Sequence, residues 1–210
     1  MTSPPVRAAA TVVLWRAGKN GAEAQVLLGQ RGRAAVFMPS KYVFPGGAVD
    51  AADAPANDTE AAAALAWLDP ASAALLDDPT CDPRVSPAAL VTAARRELTE
   101  EAGLRLASLG TMRFFFRAVT PPGSPRRFDA RFFLAPAGAV AGDTDDFSGA
   151  EDELSHLHWI GLTEARALDL PFITEVVLSE VTAILAGHPQ PGVPFFDNYG
   201  NVPTFRRITA

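Results

Sequence analysis

Short apolar runs separated by turn signals dominate the first fifty residues. Residues 8–15 (AAATVVLW) and 24–30 (AQVLLGQ) are β-branched or aliphatic, and Gly18-Lys19-Asn20-Gly21 lies between them, so the pattern predicts a hairpin. Tyr42-Val43-Phe44 reads as a strand fragment stopped by Pro45-Gly46-Gly47. Residues 51–85 are rich in Ala, Asp and Pro, with a short helix expected over 58–67 and closed by Pro70. Ser86-Pro87 opens a clearer helix, a cap residue followed by proline at the first helical position, and Gly103 ends it. Strands are expected at 111–118, 127–134 and 156–160, a short helix from Thr163, and a longer one from about Pro171 to Ala186, ended by Gly187. The tail 189–210 mixes prolines with aromatics and fits no element. Strands first, a helix between strands and antiparallel-style turns point to α+β, a mixed sheet sandwiched by helices.

Charge narrows the function. With 18 Lys+Arg against 24 Asp+Glu and a net charge of −6, the chain lacks the basic surplus of a duplex nucleic-acid binder. A small phosphate ligand remains compatible, because a few local cations suffice. Sixteen of the basic residues are arginine, so no single arginine stands out by type. One cysteine, Cys81, excludes an internal disulfide and carries no companion signature of a nucleophile. No apolar run approaches the ~20 residues of a membrane span, and a cytoplasmic protein of 210 residues in one domain is expected.

The helix from Pro87 carries Glu97, Glu100 and Glu101. At about 100° per residue all three share one face, while Val91, Ala94, Leu98 and Ala102 form the apolar stripe. Glu101 lies at the margin of that stripe and Glu100 points most nearly to solvent. Like charges at i,i+4 destabilise an isolated helix by roughly 0.2–0.5 kcal/mol, and no lysine lies on this face to offset them. A hard divalent cation would. The alternative is a solvated acidic face balanced in part by Arg96 to Glu100.

Residues 96–104 (RELTEEAGL) match the second half of the Nudix box, RE-U-x-EE-x-G-U with U aliphatic, and Phe44-Pro45-Gly46-Gly47 resembles the loop that opens it. The protein therefore resembles the Nudix hydrolase superfamily over about residues 8–186, which implies a Nudix-like mixed sheet between helices. Two departures are evident. Asp53 stands where the box has Glu, and the box arginine falls at position 96 rather than 61, an insertion of 35 residues. A box split this way, with Thr120-Pro121 and 127–133 (RFDARFF) after it, is similar to the subgroup of peroxisomal acyl-coenzyme A diphosphatases and their bacterial relatives.

The resemblance implies metal-dependent hydrolysis of a nucleoside diphosphate linked to another moiety, with coenzyme A or its thioesters the first guess. Nucleotide sugars, dinucleotides and NADH stay open. Mg²⁺ or Mn²⁺ would be held by Glu97, Glu101 and Glu100 with the Gly47 carbonyl, and Arg96 would orient a box carboxylate through a forked hydrogen bond. Glu153 is the expected acid from a later loop, against the alternative of an ordinary solvated loop residue. Arg31, Arg127 and Arg131 are candidate substrate-binding residues, although strand arginines are more often surface groups. His156 and His158 read as surface or structural. The insertion, about 54–85, is expected to pack over the cleft through Leu65, Trp67 and Leu68. The expected partner is a small nucleotide conjugate, with no nucleic acid and no membrane, and a homodimer is left open. Two other readings compete: a regulatory domain of the same fold that binds a nucleotide ligand without hydrolysis, and a nucleic-acid processing enzyme, which the net acidity disfavours.

Overall fold

The computed structural model describes residues 4–76, 85–200 and 202–209. Strand β1 (Val6–Arg16) is its axis. One edge of β1 runs parallel to β6 (Arg127–Pro136) along its whole length, from Val6 opposite Arg127 to Trp15 opposite Pro136. Its other edge is shared. The C-terminal end pairs with β2 (Gln25–Arg31) in the predicted hairpin, and the N-terminal half pairs with β4 (Gly46–Ala48). Hydrogen bonding continues from β2 to β3 (Tyr42–Val43) on one side, and from β6 to β5 (Arg113–Val119), β8 (Val193–Asp197) and β9 (Thr204–Ile208) on the other. Strand β7 (Leu154–Gly161) pairs with β2. Two parallel pairings, β1 with β6 and β5 with β8, make this a mixed sheet.

Because β1 is central, it is apolar on both sides. Ala10, Val12 and Leu14 pack with Leu90, Ala94 and Leu98 of α3 (Pro87–Ala102), whereas Val13 packs with Val177, Leu178 and Val181 of α5 (Phe172–Leu185). Helices on both faces are the expected α+β sandwich, completed by the short α4 (Leu162–Ala165). Local chemistry sets the ends of α3. Ser86 Oγ accepts a hydrogen bond from the Ala89 N–H at 3.2 Å, and Gly103 takes the left-handed conformation (φ 70°) while donating to the Thr99 carbonyl. Among the described residues no helix is long and apolar enough to cross a membrane.

Three expectations need correction. Pro70 does not close a helix; after α1 (Asp58–Leu65) it opens a second, α2 (Pro70–Leu76). Asp69 Oδ1 accepts from the Ala71 and Ser72 N–H groups, so Asp-Pro is a start signal here. Second, the described part of the insertion lies away from the cleft, on α3 and β5. Trp67 stacks under the Arg95 guanidinium at 3.9 Å, and Leu68 bridges to Met112 within the α3-side core. Cys81 falls outside the described residues.

Third, the tail left without an element does form one: β8 and β9 extend the sheet. The reason lies in charges buried beneath it. Arg117 forks onto Asp129 at 2.9 and 2.8 Å, Arg131 joins the same carboxylate at 2.8 Å, and the Tyr199 hydroxyl donates to it at 2.8 Å. Asp129 is fully buried and both arginines are nearly so. Phe195 covers the Arg117 guanidinium at 4.1 Å. Arg127, also buried, donates to the Asn198 carbonyl at 2.6 Å and to that of Thr120 at 3.0 Å. Removing one member of such a cluster strands the opposite charges, so Asp129→Ala should cost about 3–5 kcal/mol of stability in urea unfolding. A loss below about 1 kcal/mol, the value of an exposed pair, would show that the cluster is not desolvated as described.

Candidate active site

The acidic face of α3 meets the sheet where β4 leaves β1. Gly46 and Gly47 allow this contact. A Cβ on Gly46 would lie 2.6 Å from the Ala10 carbonyl oxygen, and one on Gly47 would lie 2.4 Å from the Glu97 carboxylate. The Gly46 N–H donates to Glu101 Oε2 at 2.7 Å. The other oxygen, Oε1, is buried without a hydrogen-bond partner; the nearest cation is the Arg31 guanidinium, 3.9 Å away. Arg31 also donates to Glu153 Oε1 at 3.0 Å.

Arg96 ties the chain segment after β4 to the helix. It forks onto Asp53, with Nε and Nη2 each 2.9 Å from a carboxylate oxygen, and Nη2 also reaches the Ala48 carbonyl at 3.1 Å. Its Nη1 donates to Glu97 at 2.9 Å and to Glu100 at 2.8 Å. Both sequence readings of Arg96 therefore describe contacts it makes at once. Asp53 is buried, and its carboxylate also accepts the Asp50 N–H at 2.8 Å, closing a one-turn capping box.

Burial dominates the electrostatics. It pushes Glu101 up to about 8, despite the Gly46 N–H and Arg31, which pull the other way. Glu97 is raised as well, by burial first, with Arg96 opposing. Asp53, Glu97 and Glu100 draw Arg96 further toward its charged form. Two high-lying carboxylates and an orphaned oxygen form a donor set whose missing partner is positive. Hard divalent cations prefer such oxygen ligands, so the residues present fit one. Among the described residues, no three acidic or histidine side chains already converge at ligand spacing.

Glu97, Glu100, Glu101, Arg96, Gly47, Arg31 and Glu153 are thus brought together. Arg127 and Arg131 are not. Strand alternation turns them to the α3 side, where Asp129 and main-chain carbonyls occupy them, and they do not line a surface for phosphate. Phe128, between them, faces the opposite side and lines a cleft of ≈ 310 Å³ that begins at Arg31, Gly46 and Gly47. No described residue of the insertion lines it. Sequence reasoning missed this cleft, although period-2 alternation already separated Phe128 from its two neighbours.

Residues 84–180 match the family model of the NUDIX domain. No curated protein matches the chain significantly. Among solved structures, a NUDIX hydrolase from Alicyclobacillus acidocaldarius is similar at 28% identity and TM-score 0.63, over 84% of this chain and 90% of that one. The NUDIX domain of Shewanella oneidensis NrtR, solved with ADP ribose, aligns at 14% identity and TM-score 0.52 over 86% and 89% of the two chains. A MutT NUDIX hydrolase from Burkholderia pseudomallei aligns at 20% and 0.51 over 84% and 98%. The last two likenesses show the fold alone. The NUDIX match over residues 84–180, together with the likeness to the Alicyclobacillus hydrolase, supports a Nudix-type hydrolase acting on phosphoanhydrides.

The buried acid has a consequence for stability. Glu101 binds its proton more tightly when folded (about 8) than when exposed (4.5), so over that interval the folded state holds more protons. Stability of the metal-free protein should therefore fall as pH rises from 5 to 8, and Glu101→Gln should flatten this decline. Thermal melts in chelator across that range test it; a decline of equal slope in the variant would assign it to other groups.

Proposed function

We propose that the protein is a Mg²⁺- or Mn²⁺-dependent diphosphatase acting on a nucleoside diphosphate linked to another moiety. The observation that carries this reading is the buried, unpartnered Oε1 of Glu101 beside Glu97, both under the Gly46–Gly47 strand. Glu97 and Glu101, with Glu100 and the Gly47 carbonyl, are the residues that would hold the cation. Bound there, it would neutralise phosphate charge and make a water a better nucleophile. Arg96 keeps the helix and the 48–53 segment in register, through the fork on Asp53.

Glu153 is the proposed proton acceptor. Its side chain is 59% exposed, so it can meet water, and Arg31 steers it toward Glu101. Arg31 is also the cation that lines the cleft, placed to donate to a phosphate oxygen from its planar fork. Coenzyme A and its thioesters, suggested by the resemblance, are the first substrates to assay. Arg127 and Arg131 no longer support that choice.

Product release should be measured for coenzyme A, NADH and ADP-ribose, with each metal and in chelator. Turnover is expected only with Mg²⁺ or Mn²⁺. Glu97→Gln and Glu101→Gln should each lower it at least about a hundredfold, the scale of a lost Lewis-acid contribution of several kcal/mol, while circular dichroism stays unchanged. Full turnover in chelator overturns the proposal. Tight nucleotide binding without turnover of any conjugate would favour the regulatory-domain reading.

A further inference from the structure

The cleft that opens from the carboxylate site has a chemistry of its own. Arg31 is the one charged side chain among its described lining residues, and it stands at the carboxylate end. The remaining polar side chains are the hydroxyls of Thr11, Thr120, Ser124 and Thr174. Thr120 Oγ1 is already engaged, accepting the Phe128 N–H at 3.0 Å. No Asp, Glu, Asn, Gln, His or Lys lines the described cleft. Six phenylalanines do. Phe37 meets Phe128 edge-to-face at 5.2 Å between centroids, and Phe172, a residue 66% exposed, meets Phe196 at 6.1 Å. An apolar surface left this open, continuous with a charged site, is suited to an apolar ligand segment.

Three occupants can be compared by what they lose on leaving water. A phosphorylated group would surrender its hydration with no cation beyond Arg31 to replace it. A nucleobase could lie against the rings, but its hydrogen-bonding edge would find no amide or carboxylate side chain. An aliphatic arm loses nothing polar and gains about 0.8 kcal/mol per buried methylene. The cleft begins at Gly46, Gly47 and Arg31, which border the carboxylates. A diphosphate held there directs one substituent along the phenylalanines.

We propose, resting on the diphosphatase reading above, that this cleft binds an uncharged aliphatic arm attached to one phosphate of the substrate, with the nucleoside end left toward solvent. The substrate class is thus a nucleoside diphosphate esterified to an apolar chain, and the cleft is its specificity determinant. Phe37 and Phe128 form its wall.

The test uses P1-(5′-adenosyl) P2-alkyl diphosphates with methyl, butyl and octyl arms, and an eight-carbon arm ending in a carboxylate. Hydrolysis is measured with Mg²⁺ on the full chain. Binding is measured by calorimetry with the corresponding methylene-diphosphonates, which cannot be cleaved. From methyl to octyl, kcat/KM and affinity should both rise by up to about fourfold per buried methylene, and the terminal carboxylate should abolish the gain. Phe128→Asp should flatten the dependence. Phe37→Asp, on a half-exposed loop residue, should do the same if the first variant fails to fold. Hydrolysis without chain-length dependence overturns this inference and leaves the diphosphatase standing. Chain-length-dependent binding without hydrolysis overturns the diphosphatase and leaves the cleft assignment standing. Flat binding, or tighter binding of the carboxylate-tipped arm, overturns the cleft assignment in either case.

Discussion

Arg96 places one guanidinium among three carboxylates and a main-chain carbonyl. Asp53 receives the fork, Glu97 and Glu100 share Nη1, and Ala48 accepts the remaining bond. Without that positive charge, the row of acids on α3 would face a buried Asp53 with only repulsion between them. The arginine also connects residues 43 positions apart in the chain, fixing where the segment after β4 turns away from the sheet. Asp53 performs this structural task despite being one methylene shorter than the Glu of the usual box, because its own capping box with Asp50 holds the carboxylate in place.

That constraint determines how the two faces of the sheet communicate. The α3 side and the cleft side are separated by β1 and β4, and they meet where two glycines leave no side chain in the way. Glu97 and Glu101 approach from one side of Gly46 and Gly47; the phenylalanine-lined cleft begins at the other. Arg31 sits at this junction, near Glu101 and bonded to Glu153. The carboxylates and the phenylalanine-lined cleft thus lie on opposite sides of one short strand.

Local signals were the legible part of the sequence. The caps of α3, the turn between β1 and β2 and the three-glutamate face depend on neighbours within a few positions, and the structure reproduces them. Long-range pairing was not legible. Alternation along 127–131 put Arg127, Asp129 and Arg131 on one face, but could not reveal that Arg117 and Tyr199 would meet them there. Arg127 and Arg131, candidates for substrate binding by sequence, are instead buried structural groups, Arg131 on Asp129 and Arg127 on main-chain carbonyls. The tail was obscure for the same reason, since its prolines and aromatics form strands only by docking over that cluster. Pro70 misled because proline ends and begins helices alike, and the deciding feature was Asp69 before it.

The cation proposed to partner Glu101, held with Glu97 against the Gly46–Gly47 strand, can be located by anomalous diffraction from a crystal grown with Mn²⁺. A manganese peak is expected within ligand distance of Glu101 Oε1 and a Glu97 oxygen, with the Arg96–Asp53 fork unchanged. Manganese bound elsewhere, with Glu101 protonated and still hydrogen-bonded to Gly46 alone, would contradict it.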